Sequence, residues 1–137
     1  MSLVLDSSVT LAWVYGEEIT PAVRQVLTLA TASGAWVPAL WRLEVANVLE
    51  RGVRSQRNSA AFRDATLADL ALLPIQVDAE TEPQAWGPTL RLAARRRLTL
   101  YGAAYLELAK RRELPLATLD AELRSAAKAE KIPLQGM

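Results

Sequence analysis

The chain has 137 residues, 51% of them hydrophobic and 23% charged, with a net charge of +1 and neither histidine nor cysteine. That balance predicts one globular domain over residues 1–137 with its own core, not a disordered chain. Disulfides, thiolate metal sites and imidazole chemistry are excluded, which leaves carboxylates, hydroxyls, cationic groups and oxygen-bound metals.

Along the chain, residues 2–5 form a short apolar run suited to a buried strand, closed by Asp6, and Ser7-Ser8 can cap a helix over Val9–Val14. Thr20-Pro21 opens a second helix that Gly34 stops. Ala35-Trp36-Val37 predicts a short strand, followed by a helix from about Ala39 to Gln56. Asn58-Ser59 caps another helix to about Leu73, and Ile75-Gln76-Val77 predicts a third strand. A helix over Trp86–Arg97 is interrupted by Gly87-Pro88, and Thr99 caps one that runs to about Arg112. Leu114–Leu119 contains a fourth strand closed by Asp120, Ala121–Glu130 is helical, and Ile132-Pro133-Leu134 suits an edge strand. Short apolar strands alternating with helices predict an α/β fold: a parallel sheet of four to five strands covered on both faces.

The N-terminus has no basic segment followed by an apolar one, and no apolar stretch approaches the roughly 20 residues needed to span a bilayer. The expectation is a soluble, cytoplasmic protein without a membrane partner. Charge is unevenly spread. Residues 64–90 hold five acids and no Lys or Arg, whereas residues 91–112 hold seven basic groups against Glu107 alone. A second basic cluster is Arg42, Arg51, Arg54, Arg57 and Arg63, and Arg outnumbers Lys thirteen to three. Arginine suits bidentate phosphate contacts, so a polyanionic partner is supported, although solvated helix faces account for such runs equally well.

Three acids run against the hydrophobic pattern. Asp6 and Asp120 close two apolar strands, where open α/β sheets gather their functional groups. Glu44 shares a helix face with Leu40, Trp41, Asn47 and Val48, where an unpaired carboxylate costs several kcal/mol to bury. Asn47 is placed to orient it or hold a water. Each acid alone has a plain reading: Asp6 and Asp120 as helix N-caps, Glu44 as a partner for Arg51. Together they form the hard-oxygen donor set of a Mg²⁺ or Mn²⁺ site acting on phosphate.

The pieces Leu3-Val4-Leu5-Asp6-Ser7-Ser8, Val37-Pro38 with Glu44-Val45-Ala46-Asn47, Leu98-Thr99-Leu100-Tyr101 and Leu116-Ala117-Thr118-Leu119-Asp120 occur in an order and spacing that resembles PIN-domain ribonucleases, specifically VapC-like toxins of VapBC toxin–antitoxin systems. The resemblance covers essentially the whole chain. It implies a Mg²⁺- or Mn²⁺-dependent endoribonuclease acting on RNA, a small antitoxin partner and usually a homodimer. Asp6, Glu44 and Asp120 match three acids of that family, and Ser7 and Thr118 match hydroxyl positions that support the pocket. At Gly102 the chain departs, since family members usually carry Asp there. Glycine also costs a helix interior about 0.8–1 kcal/mol relative to alanine, and an acid would suit a helix N-terminus, so local propensity does not explain it. Natural degeneration, an engineered disarming substitution and a three-acid site all remain open.

Two other readings compete. One is a non-catalytic PIN-like domain that binds antitoxin or RNA. The other is a phosphoacceptor receiver domain, which needs an acidic pair after the first strand and a Lys after a late one, and the chain offers neither. Of four tryptophans, most are expected in the core; Trp13 and Trp41, on helices near the acids, are the better candidates for a partner surface.

Overall fold

The computed structural model describes residues 2–137. Five short strands form one parallel sheet: β1 (Leu3–Leu5), β2 (Ala35–Val37), β3 (Ile75–Val77), β4 (Leu116–Ala117) and β5 (Leu134–Gln135), in the spatial order β3-β2-β1-β4-β5. Every residue of β1 is buried, as a central strand covered on both faces requires. β1 pairs with β2 through Leu3–Ala35 and with β4 through Leu5–Ala117. The chain builds outward from β1 to β3 on one side, then returns to lay β4 and β5 on the other. The order therefore reverses between β1 and β4, and the crevice beyond their carboxyl ends is the topological switch point.

The helices are α1 (Ser7–Tyr15), α2 (Pro21–Ser33), α3 (Trp41–Arg54), α4 (Ala60–Ala71), α5 (Thr81–Gln84), α6 (Leu90–Arg96), α7 (Leu100–Arg112) and α8 (Ala121–Ala129). α7 is the most deeply sunk: Ala103 to Ala109 are all buried. Its packing on β1 and α6 places residues of its first turns beside the switch point.

Three local differences from the sequence expectation have physical causes. α1 begins at Ser7, because Asp6 itself is the cap, with extended backbone and its carboxylate accepting from the Ser8 amide. The predicted helix at Trp86–Arg97 is longer and uneven: α5 leads through a π-helical turn (Ala85–Thr89) into α6. Pro88 lacks an amide hydrogen, so the ladder widens by one residue around it instead of breaking. β4 is confined to Leu116–Ala117, since Thr118 already turns its hydroxyl toward Asp6.

The tryptophan expectation also needs correction. Trp41 is buried, its indole N–H donating to Thr10 Oγ1 at 3.1 Å, so it belongs to the core. Trp13 is half-buried, with its indole N–H held by the Val23 carbonyl at 3.2 Å. The exposed one is Trp86, 92% accessible on the π turn. Gly52 marks a close approach between α3 and the next turn: a Cβ there would run into the Asn58 side chain, which Tyr15 grips at 2.7 Å.

Candidate active site

Asp6 leaves β1 at the switch point and is buried, with 6% of its surface exposed. Its Oδ2 accepts from Ser8 Oγ at 2.5 Å, from Thr118 Oγ1 at 2.8 Å and more weakly from the Ser8 amide at 3.4 Å. The same two hydroxyls also accept: Ser8 Oγ from the Leu119 amide at 2.9 Å, Thr118 Oγ1 from the Asp120 amide at 3.1 Å. They therefore lash the end of β1 to the end of β4 while orienting one carboxylate oxygen. Asp120 caps α8, its Oδ1 accepting from the Leu123 amide at 2.9 Å, so it fills the capping role and faces the crevice at once.

Glu44 enters from the first turn of α3. Its Oε1 accepts from the hydroxyl of Tyr105 at 2.5 Å. Tyr105 lies on α7 and is buried, so its ring is core while its polar tip serves the site. No ion pair joins Glu44 to Arg51 among the described residues. Asp6, Ser7, Glu44, Gly102, Tyr105 and Asp120 line one cavity of about 360 Å³. Thr118 stands behind Asp6, outside the lining. Asn47 is exposed and makes no hydrogen bond to Glu44; the group that orients this carboxylate is Tyr105.

No Lys or Arg lines the cavity. Burial pushes the Asp6 carboxyl above its usual range; the Ser8 and Thr118 hydroxyls pull against that, and the charge of Asp120 adds to it. Burial likewise raises Glu44, with the Tyr105 hydroxyl opposing and the Asp6 charge reinforcing the shift. Burial and the two nearby carboxylates raise the Tyr105 hydroxyl as well, so it stays a donor. The pocket is a concentrated negative charge with no cation from the described residues to relieve it.

Its donors suit a hard divalent cation. Asp6 Oδ1 and Asp120 Oδ2 accept no hydrogen bond among the described residues, so each acid keeps an oxygen for a ligand. No group of three or more Asp or Glu side chains among the described residues forms a ready-made cage. Mg²⁺ seldom needs one, since it keeps several waters and is commonly held by one or two carboxylates together with substrate phosphate. At Gly102 the backbone is helical, and an added Cβ would meet only Thr99 Oγ1, at 3.4 Å. Space and conformation both admit a side chain at this cavity-lining position.

Sequence reasoning missed Tyr105 and Ser8. The signal for Tyr105 was a phenol within the apolar run Ala103–Leu106, since a buried Tyr needs a partner for its hydroxyl. A separate hollow of about 280 Å³ between α3 and α4 is lined largely by Trp41, Val45, Leu67, Leu70 and Ile75, with Arg42 its one charged group. It offers apolar surface and no chemistry. Among the described residues no helix is long and apolar enough to cross a membrane.

Comparison with known proteins concerns the fold and the family. The family profile described as PIN domain matches residues 3–129. The crystal structure of PAE2754 from Pyrobaculum aerophilum superposes with a TM-score of 0.71 at 22% identity, over 98% of this chain and 83% of that one. VapBC2 from Rickettsia felis, crystallised bound to a DNA fragment from its promoter, gives a TM-score of 0.63 at 12% identity, over 98% of this chain and 97% of that one. At these identities the likeness concerns the fold. No curated protein matches.

Proposed function

The chain belongs to the PIN domain family, and from that membership we propose that it is a Mg²⁺- or Mn²⁺-dependent endoribonuclease, the VapC-like toxin of a toxin–antitoxin pair, impaired as written by Gly102. The observation that carries the reading is the crevice at the switch point, where Asp6, Glu44 and Asp120 face one cavity that no cation neutralises. Asp6 and Asp120 would hold the ion, each through its free oxygen, and Glu44 would join them or orient the attacking water. A bound divalent ion supplies charge neutralisation of the phosphodiester, polarisation of its phosphorus and a lowered pKa for water.

The chain's own residues do the rest. Ser8 and Thr118 fix the Asp6 rotamer, so its other oxygen faces the cavity without reorganisation. Tyr105 does the same for Glu44. The raised affinity of Glu44 for a proton suits it to accept one from water at the reacting centre. The partners follow from the same reading: an RNA substrate, a cognate antitoxin, a second copy of the chain, and action in the cytoplasm.

A second reading is favoured by Gly102 and by the absence of a three-acid cage among the described residues: a PIN domain that binds antitoxin or RNA without cutting. Gly102→Asp separates the two. The extra acid fits the space, so cleavage of single-stranded and structured RNA in Mg²⁺ or Mn²⁺ should rise by at least about tenfold over the unaltered chain, the lower bound for restoring a metal-site group. Equal, background cleavage by both chains, with tight RNA or antitoxin binding retained, would establish the non-catalytic reading.

A further inference from the structure

We propose that a basic strip leading away from the acid cavity across α6 and α8 is the track for the phosphate backbone of single-stranded RNA, with Arg97 and Arg91 as its free phosphate-binding groups. This rests on the nuclease reading of the acid site. Three hollows share walls in sequence. The acid cavity shares Glu122 with a groove of about 550 Å³ between α6 and α8, lined by Arg95, Arg96, Arg97 and Ser125. That groove shares Arg95 with a further hollow of about 350 Å³, lined by Arg91, Lys110 and Arg111. The chain is continuous at the first junction: Arg97 lines the groove, and Leu98 and Thr99, which follow it, line the acid cavity.

The charges along this path are not balanced. Glu130, nearly buried, holds three cations: Arg95 at 3.0 Å, Arg96 at 2.6 Å and Lys110 at 2.7 Å. One carboxylate cannot neutralise three cations, yet it fixes their positions before any ligand arrives, which lowers the ordering cost of binding. Arg91 and Arg97 are exposed and make no ion pair among the described residues. Arg97 is the left-handed cap, φ 56°, at the end of α6. Arg111 is taken up by Asp78 and Glu107, which leaves five cations (Arg91, Arg95, Arg96, Arg97 and Lys110) against Glu130 and Glu122, an excess that the roughly half charge of a helix carboxyl end does not cover. A linear polyanion supplies what is missing, and arginine forks match its phosphates.

The single-stranded form follows from the mouth of the cavity. Tyr101 lines it and is 66% exposed, an aromatic group open to solvent at the cavity. Stacking faces beside a cationic groove are how unpaired nucleotides are held without sequence readout.

Binding of a fluorescently labelled single-stranded RNA, read by anisotropy in EDTA so that no cutting intervenes, tests the track. The Arg91→Glu/Arg97→Glu double variant should bind at least tenfold more weakly. Its plot of log affinity against log salt should flatten by about 0.7 for each phosphate it no longer neutralises. Arg24→Glu, an exposed cation on α2, should change affinity less than twofold. Tyr101→Ala should weaken binding by roughly fivefold or more with the salt slope unchanged. The track is overturned by no measurable binding to the unaltered chain, by no loss in the double variant, or by an equal loss in Arg24→Glu. Tighter binding of duplex than of single-stranded RNA overturns the single-strand assignment. If Gly102→Asp cuts RNA and the double variant added to it leaves KM unchanged, the track fails while the nuclease reading stands. If Gly102→Asp never cuts but the double variant still loses binding, the nuclease reading fails and the track remains.

Discussion

Asp6 and Asp78 occupy equivalent places in the sheet, each the first residue past a strand, and both are buried. Their surroundings differ in one respect. Asp78 meets Arg111 at 2.6 Å and Arg112 at 3.4 Å, and Arg111 also holds Glu107 at 2.8 Å, so two acids face two cations. Burial alone would raise the Asp78 carboxyl, but those guanidinium groups carry it below its usual range. Asp6 has hydroxyls and other carboxylates around it, and its carboxyl is raised. A buried acid whose charge the protein has already neutralised is structural. One whose charge the protein concentrates without a counterion is waiting for a ligand.

Removing the counterion at the structural end should give the largest effect. Arg111→Ala leaves Asp78 and Glu107 buried with only Arg112 nearby. Breaking such a pair costs about 3 kcal/mol, the lower end of the usual range because Arg112 remains, and lowers Tm by roughly 10 °C. Thermal unfolding measures this directly. Adding Asp78→Asn should recover part of the loss, because the stranded charge is the main cost. A variant that melts with the parent would erase the distinction between the two acids.

At the other end the same logic reverses the sign of the stability change. Asp6→Asn keeps an oxygen for the Ser8 and Thr118 hydroxyls and keeps a good cap, while removing a charge that burial disfavours. Without metal, the variant should be more stable than the parent by about 1 kcal/mol, a rise of a few degrees in Tm. In the Gly102→Asp background the same change should cut RNA cleavage by at least about a hundredfold. Loss of stability together with loss of activity would make Asp6 a structural residue like Asp78.

How much of this was readable beforehand follows the same division. β1, β2 and β3 fall where the sequence placed them, because short β-rich runs bounded by Asp, Gly and Pro leave little choice. The three pattern-breaking acids line one cavity, although no three Asp or Glu side chains among the described residues stand close enough to form a ready cage. Asp78 closes a strand just as Asp6 does, and apart from Ser8 beside Asp6 the partners that separate them lie far along the chain: Arg111, thirty-three residues on, reaches Asp78, and Thr118 reaches Asp6. Partners supplied by tertiary packing carry no signal in their own neighbourhood. Trp41 and Trp86 illustrate the same limit. Helix position alone did not reveal that Trp41 finds Thr10 in the core while the π turn at Pro88 leaves Trp86 on the surface.

The smallest effect separates the two kinds of acid by pH. Glu130, with Arg95, Lys110 and Arg96 on it, is held down to about 2 from an ordinary 4.5. A depressed carboxyl contributes stability that is complete above about pH 4.5 and is lost as pH falls toward 2, because the unfolded chain takes up protons first. Asp6 and Glu44 are raised, so their sign is opposite. Lowering the pH through their folded values neutralises charges that burial disfavours, and the fold gains stability before the ion pairs begin to fail. Metal-free protein should therefore show a shallow rise in Tm on mild acidification, then a fall below about pH 4.5. The Asp6→Asn/Glu44→Gln double variant should lose the rise and keep the fall. If the rise survives in that variant, the raised groups lie elsewhere, and the acid cavity would no longer stand apart from the neutralised clusters.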